Sequence, residues 1–355
     1  MAIDKQKLKS RLFTVLRIVV SVGILVFLFK TQFKNFSEVT DFFRNSYVNT
    51  RFVIISLLMY WVGITLLVLR WQIMLTTQKI KATFGFLYGS YLVAYFFNNF
   101  LPTSIGGDVY RIYDTSKLKH SSGIKAASIV LMERTTGILS SIIYLFFALA
   151  IGFVKTSKVE LKIGKWDVSN HLLIVLIVVF FIIAIFITFV MLFPDFFRLN
   201  KLFRKLKFLH KWESKLKQVY DTFKSFRKFK VILLGTILLS LVLQFAFTLN
   251  YSFAGMGFGI SKLSILSYIF IVQLCGLLSM IPISIGGIGV REGIFVVLVG
   301  ALGGEKNIAA IVSIATLIMI LIPGVIGGII YALRPYIDRK KEAAAIAAGS
   351  DSSLK

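Results

Sequence analysis

The amino-acid sequence predicts an all-α polytopic membrane protein made of two inverted repeats, each with three membrane-crossing helices and a re-entrant hairpin. Three observations predict this fold class. Of the 355 residues, 57% are hydrophobic and 16% are charged, whereas about a quarter are charged in soluble domains. Several apolar runs approach the roughly 20 residues that a helix needs to cross a bilayer. A ten-residue pattern with a proline and paired glycines occurs twice, 180 positions apart.

The net charge is +25, from 41 Lys and Arg against 16 Asp and Glu. These basic residues lie between the apolar runs, which is typical of cytoplasmic loops on an anionic membrane surface. We therefore expect membrane lipids with anionic headgroups as partners, and no nucleic acid. Cys275 is the single cysteine and the three histidines are scattered, so we expect no metal and no cofactor.

Six apolar runs predict membrane-crossing helices, near 12–29, 52–69, 126–154, 171–193, 231–252 and 308–334. The first run follows basic residues without a small-x-small cleavage pattern, so we interpret it as an uncleaved helix. The segment 194–230 contains twelve Lys and Arg against three acids, which predicts a cytoplasmic loop.

The predicted organisation is one integral membrane domain over 1–335, with repeat 1 at about 12–154 and repeat 2 at about 171–334. Residues 336–355 are predicted to be a disordered cytoplasmic tail. Both termini are basic or follow basic residues. We therefore expect a multi-pass protein of the inner cell membrane with cytoplasmic N- and C-termini.

Two further apolar runs, near 84–101 and 264–281, each stop at a proline that is followed by a Gly-Gly pair. Counting crossings from the cytoplasmic loops requires 84–110 to enter and leave on the cytoplasmic side. The same count requires 264–302 to enter and leave on the opposite side. Both segments are therefore predicted to be re-entrant hairpins.

The hairpins share a motif. Residues 102–111 and 282–291 are identical at six of ten positions, namely Pro, Ser, Ile, Gly, Gly and Arg. The same offset carries 52–69 onto 232–249 and 126–154 onto 306–334. Three crossings per half is an odd number, so the second copy is expected to be upside down. Inverted repeats with broken helices at matching positions are typical of transporters, whose substrates bind at the breaks.

The motif contains groups suited to binding an anion. Glycines let the backbone turn and approach a ligand, a restarting helix offers free N–H groups, serine hydroxyls cap or donate, and arginine binds phosphate with a planar fork. The residues in these roles are Ser104, Gly106, Gly107 and Arg111 in the first copy, and Ser284, Gly286, Gly287 and Arg291 in the second. Together they predict a phosphate-binding cavity. The alternative is that the motif only turns the chain while the arginines extend to the interface.

Further polar residues of the apolar segments join the candidate substrate-binding set: Asn98, Asn99, Asp108, Glu133, Arg134 and Glu292. Asp108 has Ile288 at the matching position, so the two halves are not chemically equivalent. Glu133 and Arg134 either pair structurally or face the cavity, because unpaired charge inside a membrane is costly. We interpret Arg70-Trp71, at the end of a predicted span, as an interfacial anchor.

These residues resemble a known family. Asn98-Asn99-Phe100-Leu101-Pro102 with Gly106-Gly107-Asp108, then Glu133-Arg134, then the second motif ending in Arg291-Glu292, are similar to the lysylphosphatidylglycerol synthase transmembrane family. The resemblance covers about 10–335. It implies a flippase-like membrane domain that translocates lipids, found alone or fused to an aminoacyl-transferring domain in the multiple peptide resistance factor. The soluble transferase domain is not among these residues.

The leading hypothesis is therefore a flippase-like transporter of a phosphate-bearing lipid. The alternative is a membrane-embedded transferase acting on a lipid, of the phosphatidylglycerol lysyltransferase type that the family name suggests. We assign no catalytic residues, because the sequence contains no nucleotide-binding loop and no acyl-transfer triad. A third hypothesis is a protein that recruits a partner enzyme at the cytoplasmic face through the basic loop 194–230, whose apolar residues recur at helical spacing.

Overall fold

The computed structural model describes residues 48–100, 106–151, 161–163, 166–168, 229–260, 262–281 and 284–351, besides a few isolated positions. The helices of the first half are α1 (Thr50–Thr77), α2 (Phe84–Phe100), α3 (Gly106–Ser116) and α4 (Gly123–Ala150). Those of the second half are α5 (Lys230–Phe258), α6 (Ile265–Ser279), α7 (Val290–Ala301) and α8 (Lys306–Asp351). A 3-10 turn at Ile285–Gly287 separates α6 from α7.

Four of these helices, α1, α4, α5 and α8, are long and apolar enough to cross a membrane. They coincide with the predicted runs 52–69, 126–154, 231–252 and 308–334, so the structure confirms apolar helices at these places. The predicted runs 12–29 and 171–193 lie outside the described residues, apart from a few isolated positions. So does the basic loop 194–230, apart from its last two positions.

The shorter helices occupy the segments that were predicted to be hairpins. The run 84–101 forms α2 and the run 264–281 forms α6, and a helix resumes at Gly106 and at Val290. Pro102 and Pro282 lie outside the described residues.

The halves pack through two kinds of helix contact. Helix α1 lies along α5, where Ser56 Oγ donates to the Asn250 carbonyl at 2.8 Å and Asn250 Nδ2 donates to the Ser56 carbonyl at 2.9 Å. Helix α2 packs against α8, and α6 packs against α4. One apolar core lies around Trp71 and Leu87, mainly in the first half, and another around Phe270 and Phe295, mainly in the second.

Two features differ from the prediction. A short antiparallel hairpin, β1 (Leu161–Ile163) and β2 (Trp166–Val168), lies between the predicted runs 126–154 and 171–193, where no strand was predicted. Helix α8 continues through Asp351, so the expected disordered tail is instead helical over 336–351. The alanine-rich run 343–348 explains the second difference, because alanine has the highest helix propensity.

Candidate functional site

A cavity of about 510 Å³ lies among α1 to α5 and the turn before α7. Its polar and charged side chains come mainly from the first half. They are Arg70, Tyr91, Tyr95, Asn98, Asp108, Arg111, Glu133, Arg134, Gln244 and Ser279. Its apolar side includes Leu243 and Phe247 of α5 and Met280 at the end of α6. We refer to the charged residues of this lining as the charged wall and to its apolar residues as the apolar wall.

Glu133 of α4 is the centre of the charged wall. Its Oε1 accepts hydrogen bonds from Arg70 Nη2 at 3.0 Å and from the Tyr91 hydroxyl at 3.3 Å. Its Oε2 accepts from Arg111 Nη2 in a short ion pair. Burying one carboxylate among two guanidinium groups satisfies charges that would otherwise cost several kcal/mol each (~3–5). This network joins α1, α2, α3 and α4.

The Arg111 guanidinium is enclosed on both faces. Its carbon lies 4.2 Å from the ring centre of Trp71 and 4.3 Å from that of Tyr91. Cation–π contacts of this kind strengthen where water is excluded. Arg70 is also fixed on two sides, because its Nη2 donates to Glu133 and its Nη1 donates to Ser240 Oγ of α5 at 2.9 Å. Both arginine side chains are only 5% exposed.

Asp108 and Arg134 form the outer part of the wall. Arg134 Nε donates to Asp108 Oδ2 in a short ion pair, and Asp108 Oδ1 lies 3.8 Å from Arg111 Nη1. The Arg134 side chain is 40% exposed. Asp108 is in the first turn of α3, where a negative charge is favoured by the helix dipole. Arg134 is therefore the most accessible charge of the cavity wall.

The second motif reaches the cavity through its backbone. Gly286 and Gly287 line the cavity and have φ values of +56° and +77°. A Cβ at Gly286 would lie 2.8 Å from the carbonyl oxygen of Asn98. Only glycine fits both this backbone conformation and this close approach. The two motif regions therefore meet at the cavity.

Arg291 and Glu292 lie beside the cavity rather than in its wall. Arg291 Nη2 donates to Glu292 Oε1 at 2.6 Å, and the Gly289 N–H donates to Glu292 Oε2 at 2.6 Å, which caps α7. Ser284 makes no side-chain cap bond, and its buried Oγ has no partner among the described residues. The free N–H groups expected for an anion at this helix start are thus partly occupied by Glu292.

The structure brings seven of the predicted site residues into the cavity wall: Asn98, Asp108, Arg111, Glu133, Arg134, Gly286 and Gly287. Asn99, Gly106, Gly107, Ser284, Arg291 and Glu292 do not line it, so a substrate-binding role for these residues stays a prediction. Ser104 lies outside the described residues.

Several of these residues have structural contacts instead. The Gly107 N–H donates to Asn98 Oδ1 at 2.9 Å, and a Cβ at Gly107 would collide with the Ala94 carbonyl. Asn99 Nδ2 donates to the Ile320 carbonyl of α8 at 3.0 Å. In this region the glycine of the first motif and the two asparagines that precede the motif hold neighbouring helices together.

The interpretation of Arg70-Trp71 as an interfacial anchor is wrong. Both residues are buried, Arg70 pairs with Glu133, and Trp71 stacks on Arg111. The sequence did contain a signal, because apolar residues continue beyond Arg70 as far as Leu75, and α1 extends to Thr77. An arginine within an apolar helix requires a buried partner, and Glu133 is an acid within another apolar span.

The family model described as "Lysylphosphatidylglycerol synthase TM region" matches residues 14–328. The chain belongs to this family. It is similar to the UPF0104 membrane protein PH1989 of Pyrococcus horikoshii, at 24% identity over 293 residues, which cover 79% of this chain and 86% of the relative. It is also similar to the UPF0104 membrane protein MJ1595 of Methanocaldococcus jannaschii, at 25% identity over 311 residues, 82% of this chain and 88% of the relative.

The family and the apolar helices together identify a membrane protein with several membrane-crossing helices. The matched region contains the whole cavity wall. The charges of that wall therefore belong to the membrane region that the family shares.

Proposed function

We propose that this protein moves a phosphate-bearing lipid between the leaflets of the inner cell membrane, as a flippase-like transporter. The observation that carries this proposal is the cavity itself. It lies among apolar membrane helices, and one wall holds three arginines and two carboxylates. Charged side chains at membrane depth are rare and mark the paths of polar substrates.

The composition of the cavity lining supports a lipid as substrate. A lipid brings a polar headgroup and an apolar tail, and the cavity offers a charged wall from α1, α3 and α4 and an apolar wall that includes Leu243 and Phe247 of α5. The lipid headgroup would contact the charged wall in place of water, and the apolar tail would contact the apolar wall.

An architecture of two inverted repeats with re-entrant hairpins is part of this proposal, within a single membrane domain over 1–335. Helices α1 and α5 begin at Thr50 and Lys230, 180 positions apart, as the motifs are. The pairing of α2 with α8 corresponds, after the same offset, to the pairing of α6 with α4. This exchange of partners supports a pseudo-two-fold relation between the halves, of the kind that alternating access uses.

The basic loops support the orientation, with both termini cytoplasmic, through the positive-inside bias. The excess of Lys and Arg also supports anionic lipids as the surrounding partners, and a partner enzyme on the cytoplasmic face fits the basic loop 194–230.

The test is transport by the purified chain in phosphatidylcholine liposomes that contain a trace of tail-labelled fluorescent phosphatidylglycerol. Dithionite bleaches only the outer leaflet, so bleaching beyond about half of the label reports movement between leaflets. Gly137→Leu places a side chain in the cavity, because Gly137 lines it and a Cβ there is 3.5 Å from Arg70. Gly235→Leu on the exposed surface of α5 is the matched control.

We expect wild type and Gly235→Leu to move the label and Gly137→Leu to slow it at least about tenfold, since a filled cavity excludes a headgroup. A wild-type rate equal to that of protein-free liposomes would overturn the proposal. Equal rates for wild type and Gly137→Leu would show that lipid does not pass through this cavity.

A further inference from the structure

The three arginines of the cavity differ in how many of their donors are already used. Arg70 and Arg111 are enclosed by Glu133, Ser240 and aromatic rings. Arg134 uses only its Nε, toward Asp108, among the contacts of the described residues. A guanidinium has five N–H donors, and 40% of this side chain is exposed. Arg134 can therefore accept an anion without breaking the network around Glu133.

The charges of the cavity wall do not balance. Arg70, Arg111 and Arg134 oppose Asp108 and Glu133, and the other lining side chains are uncharged, which leaves one positive charge in excess. The four buried charges balance, so the excess is that of Arg134, the exposed one, and it attracts an anion that enters the cavity. One negative charge on the substrate would balance this excess. A phosphodiester carries one negative charge, whereas a phosphomonoester carries about 1.5 to 2 at neutral pH.

Asp108 is placed to release Arg134. Its Oδ2 accepts from Arg134, while its Oδ1 lies 3.8 Å from Arg111 Nη1. If Arg134 turns toward a phosphate, Asp108 keeps a nearby cation and does not become an isolated buried charge. The exchange would therefore replace one ion pair by another.

We propose that Arg134 is the headgroup ligand and that it selects lipids whose headgroup is a phosphodiester with a single net negative charge. This inference rests on the proposed function and adds to it the substrate class and the residue that recognises it. The phosphate displaces Asp108 from Arg134, and the Arg70–Glu133–Arg111 network stays in place as the support of the wall. Asn98, which also lines the cavity, supplies amide donors beside the phosphate.

The experiment compares movement rates of tail-labelled phosphatidylglycerol, phosphatidylcholine and phosphatidic acid in phosphatidylcholine liposomes. Arg134→Gln reduces the cavity charge to zero, Arg134→Lys keeps it, and Asp108→Asn raises it by one. Arg51→Gln makes the same chemical change as Arg134→Gln at an exposed position of α1 outside the cavity. Elution volume and thermal unfolding in detergent verify that each variant is folded.

We expect wild type and Arg51→Gln to move phosphatidylglycerol faster than phosphatidylcholine. Arg134→Gln should lower the phosphatidylglycerol rate at least about tenfold, the loss expected for a charge-assisted hydrogen bond, and leave the phosphatidylcholine rate unchanged. Arg134→Lys should keep most of the preference. Asp108→Asn should shift the preference toward phosphatidic acid.

Three outcomes would overturn the inference. If folded Arg134→Gln keeps the wild-type preference, another group recognises the headgroup. If wild type moves all three lipids equally, the cavity does not select by charge, although the proposed function itself stands. If wild type moves none of them, the proposed function fails as well. If Arg134→Gln does not fold, the other two variants provide the test. Loss of the phosphatidylglycerol preference in Arg134→Lys would contradict the inference. An Asp108→Asn variant without a shift toward phosphatidic acid would contradict it as well.

Discussion

The two copies of the Gly-Gly motif begin their helices at different places. In the first copy α3 starts on Gly106 itself, whereas in the second a 3-10 turn covers Ile285–Gly287 and α7 starts only at Val290. The second copy has an additional glycine, Gly289, where the first has Val109. Gly286, Gly287 and Gly289 all have positive φ, which a β-branched valine strongly disfavours. Gly289 thus permits the backbone conformation that precedes the later helix start.

The charges around the two copies differ still more. At the offset of 180 positions, the positions that correspond to Arg70, Glu133 and Arg134 hold Asn250, Ser313 and Ile314. The first half therefore builds a buried ionic network, and the second half contributes glycine backbone and an apolar wall to the same cavity. The two similar motifs therefore have different surroundings, with a buried ionic network in the first half and close backbone contacts of glycine in the second.

The largest effect that would test this difference is expected at Glu133. Glu133→Gln leaves Arg70 and Arg111 buried without their shared carboxylate, so we expect a loss of about 3–5 kcal/mol in the free energy of unfolding, or failure to fold. The matched change in the second half is Ser313→Ala. Among the described residues, Ser313 Oγ donates only to the Ala310 carbonyl of its own helix, so its loss should cost less than about 1 kcal/mol.

Chemical or thermal unfolding of both variants in the same detergent measures this contrast. Equal stabilities for Glu133→Gln and Ser313→Ala would mean that the network around Glu133 does not support the first half.

A smaller effect is expected where α8 crosses α2. A Cβ at Gly327 would collide with the Leu92 carbonyl, and because backbone cannot move aside like a side chain, Gly327→Ala should destabilise the protein by about 1–3 kcal/mol. Gly276 of α6 is the control. A Cβ there meets no described atom within 4 Å, so Gly276→Ala should be neutral or stabilise by up to about 1 kcal/mol.

The midpoint of thermal unfolding compares the two alanine variants. If Gly327→Ala is as stable as Gly276→Ala, the packing of α2 against α8 does not depend on the close approach of Gly327 to the Leu92 carbonyl.

Much of the fold followed from apolar periodicity and length. The helices α1, α4, α5 and α8 are predicted by apolar runs, and α2 and α6 by shorter runs that stop before a proline. The β1–β2 hairpin was missed, because its strands have three residues each and carry too few positions to show alternation. The helical end of α8 was missed because an alanine-rich terminal segment reads equally as helix or as tail.

The site was predicted in part. Intramembrane charge pointed to Asp108, Arg111, Glu133 and Arg134, since such groups are costly unless they have partners. Arg70 was placed at the membrane interface because the apolar run appeared to end before it. Which acid pairs with which arginine depends on the packing of α1, α3 and α4, and spacing along the chain does not contain that information. The symmetry of the motifs suggested equal roles for Arg111 and Arg291, but their partners differ, because Arg111 pairs with Glu133 of another helix and Arg291 with the adjacent Glu292.

An effect of similar size is expected at the helix start that differs between the two motifs. Gly289 precedes α7 with φ of +86° and ψ of −48°, a conformation that costs an alanine about 1–3 kcal/mol. We therefore expect Gly289→Ala to lower the thermal unfolding midpoint by a few degrees, about 2–4 per kcal/mol for a large domain. Val109→Gly is the reciprocal change on the exposed side of α3, and should cost about 0.5–1 kcal/mol because glycine weakens a helix. If Gly289→Ala instead stabilises the protein, alanine must be helical at that position. Helix α7 would then begin as α3 does, and the difference between the motifs would lie in their charges alone.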